Sequence, residues 1–418
     1  MNVLIVGQGG REHAMAWKLS LSNKVDTVYV APGNGGTANE NKCINIDIAV
    51  NDFLALEKLV TEKEINLIVI GPEDPLVNGI KDHFQNKNVK VFGPDKAGAK
   101  LEGSKIYAKK FMFENDIPTG RAEFFSDANL AKKYINTTDF PIVLKADGLA
   151  AGKGVLVTKD PQEATQWIED VMNKQKFGDA GNEILIEECL FGTELSYMGI
   201  MTPSGFTPFE TSVDYKPLQN GNHGPNTGGM GCMSPSPFIN NALIDNITSD
   251  VINPTIEGLK NANIDFYGFM YFGLMVKDNK PKVLEYNCRL GDPETQCLMM
   301  QLESDFLQIL IDALDDKNLN LTWSKKSSMG VVIASGGYPE EYEKNQVIDL
   351  FELSDVKLFH AGTKYINDKL LTNGGRVFSL NAKADDLITC KKIIYSNIQN
   401  IKFNNMIFRS DIGEVYES

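Results

Sequence analysis

The densest chemical signal is Glu285, Asn287 and Arg289, three polar side chains spaced by two within Pro281-Lys282-Val283-Leu284-Glu285-Tyr286-Asn287-Cys288-Arg289. A strand's period of two puts them on one face. A carboxylate and an amide oxygen suit a hard cation such as Mg²⁺, which keeps waters and takes its other ligands from phosphates. Arg289 adds a planar fork for a carboxylate or a phosphate. The turn Gly291-Asp292-Pro293-Glu294-Thr295 follows and leads into a helix start, which argues against three idle surface residues.

A glycine-rich stretch, Gly148-Leu149-Ala150-Ala151-Gly152-Lys153-Gly154, lies between the strand-like runs PIVLKA and GVLVTK. It lacks the spacing of a phosphate loop and the hydroxyl after the lysine, and no helix follows it, so it reads as a hairpin flap. Backbone N–H groups folded onto a triphosphate, with Lys145 and Lys153 neutralising charge, are what such a flap supplies. The run Glu183-Ile184-Leu185-Ile186-Glu187-Glu188-Cys189-Leu190 ends one unit and begins the next, a hinge whose backbone can meet an adenine edge. Glu194, four residues on, could take ribose hydroxyls. Asp214-Tyr215-Lys216 and Gly224-Pro225-Asn226-Thr227-Gly228-Gly229-Met230-Gly231 are too rich in glycine to be core, and a long loop inside a compact protein usually carries function.

At the N-terminus, Gly7-Gln8-Gly9-Gly10-Arg11-Glu12-His13 follows a strand and opens a helix. The dinucleotide fingerprint fails there twice: Glu12 stands at the third glycine, and the second strand ends in Ala31-Pro32-Gly33 where a ribose-binding carboxylate belongs. What remains is a bare helix N-terminus, a seat for a phosphate that is not part of NAD.

These groups need elements to position them. The first hundred residues alternate VLIV, VDTVYV, LIVI and VKVF with helical segments, a parallel α/β pattern whose strand ends carry GQGGRE, APGNGG and GPEDPL. A smaller unit with the flap follows. Then come a Gly/Pro-rich loop at 220–237, a helix near 240–262, the strand pair YGFMYFGLMV and PKVLEYN, and a last unit that opens with VVIASGGYP and includes a helix at 384–398. The 418 residues allow two to four domains at roughly 150 residues each. Lys+Arg 41 against Asp+Glu 55 leaves a net charge of −14, which repels nucleic-acid backbones and anionic membranes. Six scattered cysteines without a C-x-x-C pair fit reduced thiols, and no apolar run reaches the ~20 residues of a membrane span, so a cytoplasmic protein is expected.

In order along the chain, GQGGREHA, GPEDPL, KADGLAAGKG, GPNTGGMG, EYNCRLGDPETQ, ASGGYP, FHAGT and NGGRV resemble the glycinamide ribonucleotide synthetases, the phosphoribosylamine–glycine ligases. They run from residue 7 to 377. The resemblance implies an ATP-grasp enzyme of mixed α/β and α+β domains. Its units would be a Rossmann-like pre-ATP-grasp domain (1–100), a connecting helix (101–121), a lid (122–190), a central ATP-grasp domain (191–324) and a C-terminal domain (325–418). It further implies ATP-dependent joining of glycine to 5-phosphoribosylamine through glycyl phosphate, in purine biosynthesis, by a monofunctional monomer.

Residue by residue, the resemblance implies ATP contacts at Lys105, Lys145, Gly152, Lys153, Gly154, Glu187, Leu190 and Glu194, with Mg²⁺ or Mn²⁺ on Glu285 and Asn287. Arg289 and Asp214 would take the two ends of glycine, with Lys145, Asp214 and Arg289 the catalytic set. Gly9, Gly10, Gly33, Glu73 and Asp74 would face phosphoribosylamine. Lys216 would stand beside the substrates, and Pro225, Asn226, Thr227, Gly228 and Gly229 would bridge them. Tyr215 departs from the family's histidine, and FGLMV lacks the acid that many ATP-grasp enzymes carry before the metal strand. The Gly-Gly pairs in ASGGYP and NGGRV have no assigned chemistry. Rival readings are a dinucleotide oxidoreductase using GQGG, a non-catalytic nucleotide sensor, and another carboxylate–amine ligase of the same superfamily.

Overall fold

The computed structural model describes residues 1–149 and 154–414. Its first sheet has five parallel strands in the order Cys43–Asn45, Thr27–Pro32, Asn2–Gly7, Ile65–Ile70, Lys90–Phe92. Alternate residues feed two cores: Leu4, Val6, Ile68 and Ile70 pack to one side, Val3, Ile5, Leu67 and Val69 to the other. Both faces are therefore covered, as a parallel sheet requires. The chain departs to opposite sides of Asn2–Gly7, so the carboxyl ends of that strand and of Ile65–Ile70 flank the switch point where such sheets open a crevice.

The flap unit is an antiparallel sheet ordered Ala122–Phe125, Ile184–Glu188, Ile142–Ala146, Val155–Thr158. Ile184 and Ile186 enter its small core with Ala131, Leu144 and Ile168. The intervening Leu185 and Glu187 face the opposite way, towards the central cleft. Residues Ala150, Ala151, Gly152 and Lys153 of the flap lie outside the described residues.

The central sheet runs Gly205–Pro208, Thr193–Thr202, Gly268–Lys277, Lys280–Asn287. Its last strand carries a bulge: Gly273 pairs with Glu285 but Leu274 pairs with Val283, leaving Leu284 as the extra residue. Pro281 and Val283 are buried before the bulge, and Tyr286 is buried after it. Strict alternation from Val283 would drive Glu285 and Asn287 into the core. The bulge inverts the phase and turns both to the cleft.

The final sheet differs from the expectation of a unit confined to 325–418. Its order is Val213–Asp214, Gly231–Ser234, Ser327–Ser335, Arg376–Ala384, Lys357–His360, so two strands come from the preceding domain. The Gly/Pro-rich stretch is also more ordered than a loop. Pro217–Gln219 pairs with His223–Asn226 across a tight turn, and Gly231–Ser234 docks on Ser327–Ser335 through four residue pairs. The helix Gly10–Ser20 meets the same unit: His13 Nδ1 accepts from the His360 N–H (2.8 Å), and Lys357 and His13 both reach Glu40. Among the described residues, no helix is long and apolar enough to cross a membrane.

Candidate active site

A cleft of about 590 Å³ opens where all four units meet. That size matches one small-molecule site. Of the residues singled out from sequence, Gly9, Glu73, Asp74, Lys105, Lys145, Gly154, Glu187, Asp214, Lys216, Thr227, Gly228, Glu285, Asn287 and Arg289 line it. Gly10, Gly33, Leu190, Glu194, Pro225, Asn226 and Gly229 do not, and Gly152 and Lys153 lie outside the described residues.

The lysine end is built on two elements. Lys105 opens the helix Lys105–Glu114, capped by Ser104, and Asp147 ties the flap's base to that helix start through Ser104 Oγ (2.9 Å) and the Ile106 N–H (2.7 Å). Lys145 Nζ lies 2.5 Å from Glu187 Oε1 and donates to the Leu284 carbonyl at the bulge (3.2 Å). Glu187 is shared with Lys109, whose Nζ is 2.5 Å from Oε2 and donates to Thr119 Oγ1 (2.7 Å). Burial lowers the Lys109 ammonium's pKa, and Glu187 opposes that shift. Sequence reading missed Lys109. Its signal was position: it stands three residues from both Ile106 and Met112, which are buried on the same helix, and a lysine there needs a partner.

At the carboxylate end, burial pulls the Glu285 carboxyl up, but Lys216, Lys145 and Lys105 outweigh it and the group stays ionised. Asn287 Oδ1 accepts from Arg289 Nη2 (3.2 Å). The pair supplies two hard oxygen donors and one negative charge, which fits a divalent cation only if phosphates and water complete its shell. No group of three or more His, Cys, Asp or Glu side chains among the described residues makes a metal cage.

Arg289 is not the open fork expected for a substrate. Its Nε meets Glu73 (3.1 Å), its Nη2 meets Glu102 (3.0 Å) as well as Asn287, and its Nη1 donates to the Leu290 carbonyl (3.3 Å). Of the guanidinium's five N–H groups, one on Nη1 is left by these contacts. The physical reason is Glu102, which sequence reading missed. Its carboxylate is buried, accepts the Cys288 N–H (2.7 Å) and needs a cation; burial still pushes it up to about 7. Glu73, expected to face a sugar, is instead held down at about 2 by the Arg289 guanidinium.

The helix N-terminus at GQGG is also not bare. Glu12 Oε2 accepts the Gly9 N–H (2.5 Å), and Asp292 Oδ2 accepts the Arg11 N–H (3.4 Å). A side chain at Gly7 or Gly71 would collide with Glu12, which fills the crevice a dinucleotide phosphate would use. Gly10 abuts Gln296, and Gly33 sits in the turn after the second strand, its N–H bonded to the Gly7 carbonyl (3.1 Å). Glu194 is paired with Lys216, which lies 4.0 Å from Glu285 on its other side.

Asp214 is the unusual group. Its Oδ1 is buried with no hydrogen-bond partner among the described residues. Burial, then the neighbouring Glu294 carboxylate, push its carboxyl well above the usual range. A buried, unpaired acid is a seat for a small cation. Gly229 backs directly onto it. Three further cleft residues escaped sequence reading as individuals: Glu294, which accepts from Ser196 Oγ (3.0 Å), and Tyr338 and Arg376 from the C-terminal unit.

The phosphoribosylglycinamide synthetase N domain matches residues 1–102, its ATP-grasp (A) domain residues 103–295 and its C domain residues 328–415. This chain belongs to the phosphoribosylglycinamide synthetase family. Among relatives, the phosphoribosylamine–glycine ligase of Vibrio vulnificus (strain YJ016) is 43% identical over 419 residues, 99% of this chain and 98% of its own. The bifunctional purine biosynthetic protein ADE1 of Schizosaccharomyces pombe is 41% identical over 98% of this chain, which spans 53% of it. A solved phosphoribosylamine–glycine ligase from Thermotoga maritima superposes with a TM-score of 0.87 at 32% identity, covering 99% of this chain and 100% of that one. The family's ATP-grasp domain fixes the chemistry class: an ATP-dependent ligase.

Proposed function

We propose that this synthetase joins glycine to 5-phosphoribosylamine in purine biosynthesis, with glycyl phosphate as the intermediate and glycinamide ribonucleotide, ADP and phosphate as products. One observation carries the reading: a single cleft is lined by Lys105 and Lys145, by the side chains of Glu285 and Asn287, and by Asp214, whose Oδ1 is unpartnered among the described residues. Lys105 and Lys145 neutralise the triphosphate. Glu285 and Asn287 hold a divalent cation, Mg²⁺ or Mn²⁺, which when bound stabilises charge on the transferring phosphoryl group. Asp214 takes the glycine ammonium, and the remaining Arg289 N–H turns to its carboxylate. Phosphoryl transfer needs placement and charge neutralisation more than a covalent nucleophile, which is what these residues offer. An acyl phosphate also has to be kept from water, since hydrolysis would waste it. The protein works as a cytoplasmic monomer.

The deciding assay mixes the protein with ATP, Mg²⁺, glycine and freshly made phosphoribosylamine. ADP release should require both small substrates. Release that continues when either is omitted overturns the reading, as does reduction of an added nicotinamide dinucleotide in their place.

A further inference from the structure

The two Gly-Gly pairs of the C-terminal unit, left without chemistry by the sequence, support two side chains that reach the cleft. Tyr338 follows Gly336-Gly337, and Arg376 follows Gly374-Gly375. Ser335 joins the two turns: its N–H donates to the Gly375 carbonyl (2.7 Å) and its Oγ to the Gly374 carbonyl (3.1 Å). A side chain at Gly375 would collide with the Tyr338 ring, so the glycine is what lets the ring approach the turn closely.

Both side chains bind the backbone of one residue. Tyr338 Oη accepts the Gly228 N–H (2.9 Å), and Arg376 Nη1 donates to the Gly228 carbonyl (2.5 Å). The same nitrogen donates to the Asp292 carbonyl (2.6 Å), and Nη2 lies 3.4 Å from Asp292 Oδ2. Gly228 itself is exposed, while Gly229 and Met230 beside it are buried. On either side of it the loop is pinned to the Asp214 segment: the Thr227 N–H donates to the Lys216 carbonyl (2.9 Å), and the Met230 N–H donates to the Tyr215 carbonyl (2.9 Å). Gly229 in turn sits against Asp214. The loop's height over the cleft therefore decides how much room the unpaired Asp214 oxygen has.

We infer that Tyr338 and Arg376 are positioning residues: a clamp by which the C-terminal domain holds the Thr227–Gly229 loop at the height that the glycine and amine sites require. This rests on the reading of that loop as the bridge between the two small substrates. Neither residue touches the lysine end of the cleft in the contacts above, so nucleotide binding is left alone.

The test uses Tyr338→Phe, which removes one oxygen, and Arg376→Lys, which keeps the charge and loses the fork. Two readouts are taken on the full chain: hydrogen–deuterium exchange of the peptide spanning 224–231, and separate KM values for ATP, glycine and phosphoribosylamine. Expected are faster exchange in that peptide, KM for glycine and phosphoribosylamine up by roughly tenfold, and KM for ATP within about twofold, one lost hydrogen bond being worth about a factor of ten. Unchanged exchange in both variants overturns the clamp. Faster exchange with all three KM values unchanged, or with only that for ATP raised, overturns the link to the small substrates and counts against the bridging role. A purely structural role would lower the melting temperature without separating the KM values, and that result also overturns the inference.

Discussion

Glu285→Ala is expected to lower turnover by roughly 10³-fold, about 4 kcal/mol of transition-state stabilisation, with the melting temperature moved by no more than a few degrees. The asymmetry follows from position. The Glu285 side chain is 39% exposed and fills no core space, so little packing is lost. What is lost is the carboxylate proposed as a cation ligand, an acid that Lys216, Lys145 and Lys105 hold ionised. Steady-state kinetics beside a thermal melt checks it. An unchanged rate would remove Glu285 from the cation site, and a collapse of the melt would make it a structural residue.

Asp214→Asn is expected to raise KM for glycine by roughly 100-fold, since a buried charged hydrogen bond is worth up to about 3 kcal/mol, while KM for ATP stays within a factor of two. The same group gives a pH signature. Its carboxyl titrates well above the usual range because burial and Glu294 disfavour its charge. It is therefore protonated, and a poor partner for an ammonium, at pH values where ordinary carboxylates are already ionised. KM for glycine should fall as pH rises through that elevated pKa, and the slope should vanish in the asparagine variant. A flat profile in the native enzyme would take the glycine ammonium away from Asp214.

The elements were legible wherever one physical pattern dominated. Short β-branched runs with glycine-rich ends marked the parallel first sheet, and the two strands flanking the lysine-bearing glycines do pair as a hairpin. The site was legible as far as strand periodicity reached. Glu285 and Asn287 do share the cleft face, but only because Leu284 is bulged, a shift set by pairing with Gly273 and Leu274 that moves the buried positions from Pro281 and Val283 to Tyr286.

The rest required long-range contacts. Arg289 looked like a free fork because Glu73 and Glu102 lie about 200 residues away in sequence and converge on it only in the fold. The GQGG helix start looked open because Glu12 was read as the absence of a glycine, not as a carboxylate that would cap the helix and fill the crevice. Leu190, Pro225 and Asn226 lie outside the cleft in the described conformation, although the hinge and the loop that contain them border it. The strands Val213–Asp214 and Gly231–Ser234 joined the C-terminal sheet because Ser327–Ser335 offered an edge to pair with, which composition does not reveal.

The proposed activation of glycine as an acyl phosphate, before the amine attacks, is tested most directly by isotope transfer. With glycine carrying ¹⁸O in its carboxylate, attack on the γ-phosphorus makes one carboxylate oxygen the bridge, and displacement by the amine leaves that oxygen on the departing phosphate. One ¹⁸O is expected in each inorganic phosphate released, in step with ADP and with glycinamide ribonucleotide. Phosphate released without label, at the same rate and with the same product, would contradict it.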